Sequence, residues 1–120
     1  MERRGQKYHR ERLGEAIREE IETIVEGELA DPRIGLVGVS GVILAADSRS
    51  ARVMVESTGD DDEIARSLEG LNAATGFIRH EIGERLKLRH PPELYFQVDN
   101  SQKHKARVDE LLERTKKRAR

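Results

Sequence analysis

A chain of 120 residues is the size of one domain with tails, and at that length it can remove roughly two thirds of its unfolded surface from water without staples. It holds no cysteine, which excludes disulfides, thiolate zinc sites, iron–sulfur clusters and cysteine nucleophiles. Charged residues make up 38 %, yet 22 Lys and Arg against 23 Asp and Glu leave a formal charge of −1, which argues against a uniformly basic nucleic-acid binder while leaving room for a segregated basic face. Phe and Tyr number two each and Trp is absent, so an aromatic platform for stacked bases is not expected. The start MERRGQKYHRERLGEAI holds no apolar run, which argues against a secretory signal. The run Val42–Ala46, five residues long, cannot cross a bilayer. Both point to a cytoplasmic protein with no membrane partner.

Residues 1–12 carry Arg3, Arg4, Lys7, Arg10 and Arg12 against Glu2 and Glu11, a net +3. A helix is predicted to follow, because Leu13, Ile17, Ile21, Ile24 and Val25 recur at three- and four-residue spacing, with Leu29 at the margin. Asp31-Pro32-Arg33 stops it, since proline cannot continue the ladder. Leu36–Ala46 reads as a strand with a phase slip at Gly41, which predicts a β-bulge. After the turn residues 47–50, Ala51, Val53 and Val55 alternate cleanly and complete a hairpin with one buried face. Thr58–Glu63 leads into a helix start, where acids suit the positive end of the helix dipole.

The next stripe is long: Ile64, Leu68, Leu71, Thr75, Ile78, Ile82 and Leu86. It fits equally one helix or two nearly coaxial ones kinked at Ala74-Thr75-Gly76, because glycine inside a helix costs about 1 kcal/mol relative to alanine. Pro91-Pro92 ends it, and Leu94, Phe96 and Val98 form a third strand. Residues 103–118 can form an amphipathic helix through Val108, Leu111 and Leu112, closing on the basic run Arg114, Lys116, Lys117, Arg118 and Arg120, +5 with no acid. The expected organisation is a basic segment 1–9, a domain over 10–100 and a C-terminal helix with a basic tail over 101–120. Three strands with helices on one face make an α+β two-layer domain, its other sheet face more polar.

Catalytic patterns are missing. His9, His80, His90 and His104 lack metal-binding helix spacing. The acids Asp60–Glu63 lack the glycine and ligand order of a calcium loop, and a solvated helix start is the plainer reading. The serines lie in no GxSxG elbow, and Gly35, Gly38 and Gly41 have no phosphate-loop lysine. The basic groups say more. Arg79, Arg85, Lys87 and Arg89 stand against Glu81 and Glu84 over residues 77–90, a net +2. Arg79 and Arg85 fall off the buried stripe, so they are expected to reach water, either as a solvated face with local pairs such as Glu81–Arg85 or as a phosphate-binding surface.

Several separated pieces together resemble the ribosome-binding factor A family. They are Glu28-Leu29-Ala30-Asp31-Pro32-Arg33-Ile34-Gly35, Val39-Ser40-Gly41-Val42, Ala51–Val55, Ala74-Thr75-Gly76-Phe77-Ile78-Arg79, Leu86-Lys87-Leu88-Arg89, Pro92–Phe96 and Asp99-Asn100-Ser101, in family order over roughly residues 8–112. The resemblance implies a type II KH-like domain in which a kinked helix with Ala-x-Gly, here Ala74, Thr75 and Gly76, replaces the GxxG loop that clamps nucleic-acid backbone. It implies binding to 16S rRNA in the free 30S subunit, late maturation with 5′-end processing, growth in the cold and a monomer, with no cofactor and no enzymatic activity. Neighbouring ribosomal proteins are further expected partners. The mechanism expected is phosphate and shape recognition, with close approach at Gly76, contacts from Arg79, Arg85, Lys87 and Arg89, and extension by Arg3, Arg4, Lys7, Arg10 and Arg12. The alternative is a protein–protein adaptor using the open sheet face without direct RNA binding.

Overall fold

The computed structural model describes residues 3–99. The elements run α1 (Arg4–Gly27), β1 (Val37–Leu44), β2 (Ser50–Ser57), α2 (Asp61–Ala73), α3 (Thr75–Leu86) and β3 (Glu93–Val98). The helix expected over 103–118 and the basic run 114–120 lie outside the described residues. The basic N-terminal segment does not precede the first helix but forms its opening turns, since α1 begins at Arg4. Core spacing begins only at Leu13, so the apolar pattern could not reveal those turns.

β1 pairs antiparallel with β2, and the register shifts between Val39 and Gly41. Ser40 is the extra residue of this bulge. Val39 faces Val55 before it, while Val42 and Leu44 face Val53 and Ala51 after it. The inserted residue therefore explains the change of parity along the strand. β3 pairs parallel with β2, setting Leu94 and Phe96 beside Ala51 and Val53. A parallel neighbour requires a long crossover, and α2 with α3 supply it. The sheet order is β1-β2-β3.

All three helices bury their stripes against one side of this sheet. Ile17, Ile21, Ile24, Val53, Leu71, Ile78 and Ile82 are fully buried in a single cluster. Each such side chain contributes about 1.5–3 kcal/mol relative to exposure. Gly14 lets α1 lie close on β1, because a Cβ there would meet the Val42 carbonyl oxygen at 3.0 Å. The result is a two-layer α+β domain. Its outer sheet face mixes Arg52, Glu93 and Gln97 with exposed Ile43 and Tyr95, and so is less uniformly polar than expected.

The Asp31-Pro32-Arg33 segment also has a packing role. Asp31 accepts hydrogen bonds from the Arg33 backbone N–H at 2.9 Å and from its guanidinium at 2.6 Å. Ser67, buried on α2, accepts from the Gly35 N–H at 3.1 Å. Ile34 packs over Gly70, where a Cβ would lie only 2.7 Å from its Cγ1. This loop is a clamp on α2. A serine at helical spacing within the apolar stripe, Ile64-x-x-Ser67-Leu68, was the signal for it.

Candidate nucleic-acid interface

Basic side chains occupy two places. The first is the N-terminal half of α1. Arg3 stands at the helix cap, its backbone N–H donating to Gln6 Oε1 at 3.2 Å, and Arg4, Lys7 and Arg12 are exposed. Arg12 lies over the Tyr8 ring, 5.8 Å from its centroid. Arg10 is half-buried and, with Gln6 and His9, lines a cleft of about 490 Å³ between these turns and the β1–β2 turn at Ala46 and Ser48. Ser48 has a left-handed backbone, φ 58°, in a turn closed by the Arg49 N–H on Asp47 at 3.0 Å. Gln6, His9 and Ser48 are absent from the sequence-based site, since no periodicity brings a hairpin turn beside a helix start.

The electrostatics of α1 run against its own dipole. A helix carries about half a positive charge at its N-terminus and half a negative charge at its C-terminus, so cations are favoured late and anions early. In α1 the first turn has no acid and the last turn has no base. Acids concentrate in the second half, where Arg18 pairs with Glu15 at 2.6 Å and Glu22 at 2.7 Å.

The second place is α3 and its exit, and here the cations divide. Arg79 donates through Nε to the Pro92 carbonyl at 3.0 Å and through Nη2 to the Pro91 carbonyl at 2.7 Å, with Glu93 at 3.4 Å. Arg85 meets Glu28 at 2.6 Å, Glu81 at 3.4 Å and Glu20 at 3.6 Å. Their side chains are 33 % and 26 % exposed. Arg79 and Arg85 are therefore engaged with protein partners, and the Glu81–Arg85 pair is the one expected from their spacing. One ties α3 to the entry of β3, and the other is the counter-ion of the acidic half of α1. Sequence spacing showed only the Glu81 partner, because the others are distant in the chain.

Lys87 and Arg89 are exposed and project from the turn after α3. Lys87 takes the left-handed conformation, φ 55°, and the Leu88 N–H reaches back to the Gly83 carbonyl at 2.9 Å. That bond closes the helix, a place that glycine usually fills. Because Arg85 pins this end of α3 to Glu20 and Glu28, the exit lies by the acidic half of α1. Glu20 alone is roughly 12 Å along the axis from Arg12. The two basic places are separate patches.

Between α2 and α3 the helical run is interrupted at Ala74, whose φ −89° and ψ 1° belong to neither helix. Ala74 packs on the core, and the Thr75 hydroxyl donates to the Leu71 carbonyl at 3.2 Å. Gly76 is exposed, has no positive φ, and a Cβ there would meet nothing within 4 Å. Nothing inside the described domain requires glycine at this position. Among the described residues no group of three or more His, Cys, Asp or Glu could hold a metal ion, and no helix is long and apolar enough to cross a membrane. The acids at 60–63 form a helix start, with Asp60 accepting from the Glu63 N–H at 2.8 Å.

The described residues thus form an α+β domain with two basic patches and an exposed glycine that no packing explains. Comparison with known proteins narrows the class. The family model for ribosome-binding factor A matches residues 9–112. Ribosome-binding factor A of Koribacter versatilis (strain Ellin345) is 58 % identical over 118 residues, covering 98 % of this chain and 96 % of that protein. The Halothermothrix orenii protein of the same name is 46 % identical over 105 residues, 88 % of this chain and 86 % of that one. Among solved structures, crystalline ribosome-binding factor A from Thermus thermophilus superposes with a TM-score of 0.61 at 27 % identity, over 81 % of this chain and 98 % of that chain. A Thermus thermophilus RbfA homology model fitted into the cryo-EM map of a 30S–RbfA complex gives 0.55 at 28 % identity, over 75 % and 90 %. The chain belongs to the ribosome-binding factor A family.

Proposed function

We propose that this protein is a non-enzymatic, monomeric assembly factor that binds the free 30S subunit through 16S rRNA and supports its late maturation, including 5′-end processing and growth in the cold. Family membership and the 30S complex formed by a Thermus relative support the ribosomal target. The observation that carries the reading to this chain is the inverted charge of α1. Exposed cations at the positive pole of a helix are each unfavourable by about 0.3–1 kcal/mol, and a polyanion converts that cost into binding.

In this reading the domain is KH-like of type II, and the turn at Ala74-Thr75-Gly76 is the kink that replaces a GxxG loop. Gly76 supports it, because its bare face leaves room for an RNA backbone. Lys87 and Arg89 meet phosphates at the opposite end of α3, about 16 Å along its axis from Gly76, while Arg3, Arg4, Lys7, Arg10 and Arg12 bind along α1. Arg79 and Arg85 hold the α3 surface in shape and lend charge without leaving their protein partners. Neighbouring ribosomal proteins complete the site. Sucrose-gradient sedimentation tests this: enrichment on free 30S particles is expected, and enrichment on 70S particles would contradict it.

Exposed Ile43 and Tyr95 on the outer sheet face favour a second reading, a protein adaptor. An RNase-treated pull-down separates the two, since an adaptor retains its partner and an RNA binder loses it.

A further inference from the structure

Opposite in character to the basic patches is a groove of about 960 Å³ where the start of β1 meets the end of α1 and the end of β3. Its floor is apolar, with Val37, Ile64 and Val98, and Leu36 stands in it 88 % exposed. A large aliphatic side chain left this open beside other apolar surface marks an interaction site. Its rim is acidic, with Glu26, Glu56 and Asp99, and no Lys or Arg is among the described lining residues. The chain itself leads here. The Asp99 N–H donates to the Val55 carbonyl at 2.7 Å, so the described domain ends on the groove's own wall.

We propose that the groove is the docking site of this chain's own C-terminal segment, residues 101–120. That segment fits in three respects. Val108, Leu111 and Leu112 recur at the spacing of one helical face, the pattern by which an amphipathic helix fills an apolar groove. Eight Lys and Arg against three Asp and Glu give it a net +5, complementary to the acidic rim. The seven residues between Asn100 and Val108 span at most about 25 Å, enough to turn back, and tethering keeps the local concentration high. A docked segment covers Leu36 and draws the basic run 114–120 toward the acidic side of the domain, away from the α1 patch. This inference stands apart from the RNA-binding reading.

The chain has no cysteine, so one spin label can be placed cleanly. In full-length Thr115→Cys carrying a nitroxide, the amide signals of Leu36, Val37 and Gly59 are expected to be lost, and to return on reduction of the label. Leu111→Asp/Leu112→Asp in the same chain should restore them without reduction. Undiminished groove signals in the labelled parent, or loss that persists in the double-aspartate variant, would overturn the proposal. So would loss of groove signals in isotope-labelled, spin-free chain mixed with spin-labelled, isotope-free chain, which would make the occupant a second copy.

Discussion

Two helices in this domain begin in opposite ways. α2 opens with an Asp60 cap bonded to the Glu63 N–H and with Asp61, Asp62 and Glu63 in its first turn, each sign matched to the dipole. α1 opens with Arg3, Arg4 and Lys7 and no acid, each sign opposed to it. The first start is arranged for stability and the second against it. A ligand can compensate such an unfavourable arrangement, so the contrast is what singles out the start of α1 for the proposed RNA contact, while the acidic cluster has a capping role.

Arg85 neutralises Glu20, Glu28 and Glu81, which makes the acidic half of α1 an internal partner of α3. Replacing it by alanine leaves three carboxylates facing one another. Arg85→Ala should lower the urea-unfolding midpoint. An unchanged midpoint would dissolve the distinction between structural and binding cations. Asp60→Ala removes one cap and should cost about 1 kcal/mol while leaving 30S binding intact. Loss of binding at constant stability would make the acidic cluster part of the binding surface.

Gly76→Ala sharpens the contrast from the other side. With open space around its Cβ, the folded protein should gain up to about 1 kcal/mol, because alanine is the better helix former. Its 30S co-sedimentation should nevertheless weaken. A more stable variant that binds normally would remove Gly76 from the site.

The smallest effect is acid sensitivity. The Arg18 guanidinium, by hydrogen bond and then by charge, holds the Glu15 carboxyl below the usual carboxylate range. Hydrogen bonds from the Arg33 guanidinium and then its backbone N–H do the same for Asp31. Both contributions are fully present above the unfolded carboxylate pKa, and they fade as pH falls through the lowered folded values. The urea midpoint should therefore slip slightly once pH drops below about 4, and Arg33→Ala should flatten that dependence.

Much of the fold is legible in the sequence. Ala51, Val53 and Val55 alternate because one sheet face is buried, and the phase slip at Gly41 marks the bulge at Ser40. The start of α1 is not legible from periodicity, because turns that touch no core carry no apolar period. The candidate site is legible only as composition. A local count of Arg79, Arg85, Lys87 and Arg89 treats four cations alike. Partners remote in sequence, the Pro91 and Pro92 carbonyls and Glu20 and Glu28, engage two of them and leave Lys87 and Arg89 in solvent. The sequence-based patch was one surface, and the folded chain divides it.

If the cations opening α1 are held there for RNA, affinity for free 30S subunits across a salt series should differ between the parent chain and Arg4→Gln/Lys7→Gln. Each phosphate contact contributes roughly −0.7 to −0.9 to the slope of log affinity against log salt. The double variant should bind more weakly with a slope shallower by about 1.4–1.8, and its thermal midpoint should stay level or rise as the dipole conflict is relieved. An unchanged slope with unchanged affinity would contradict the account.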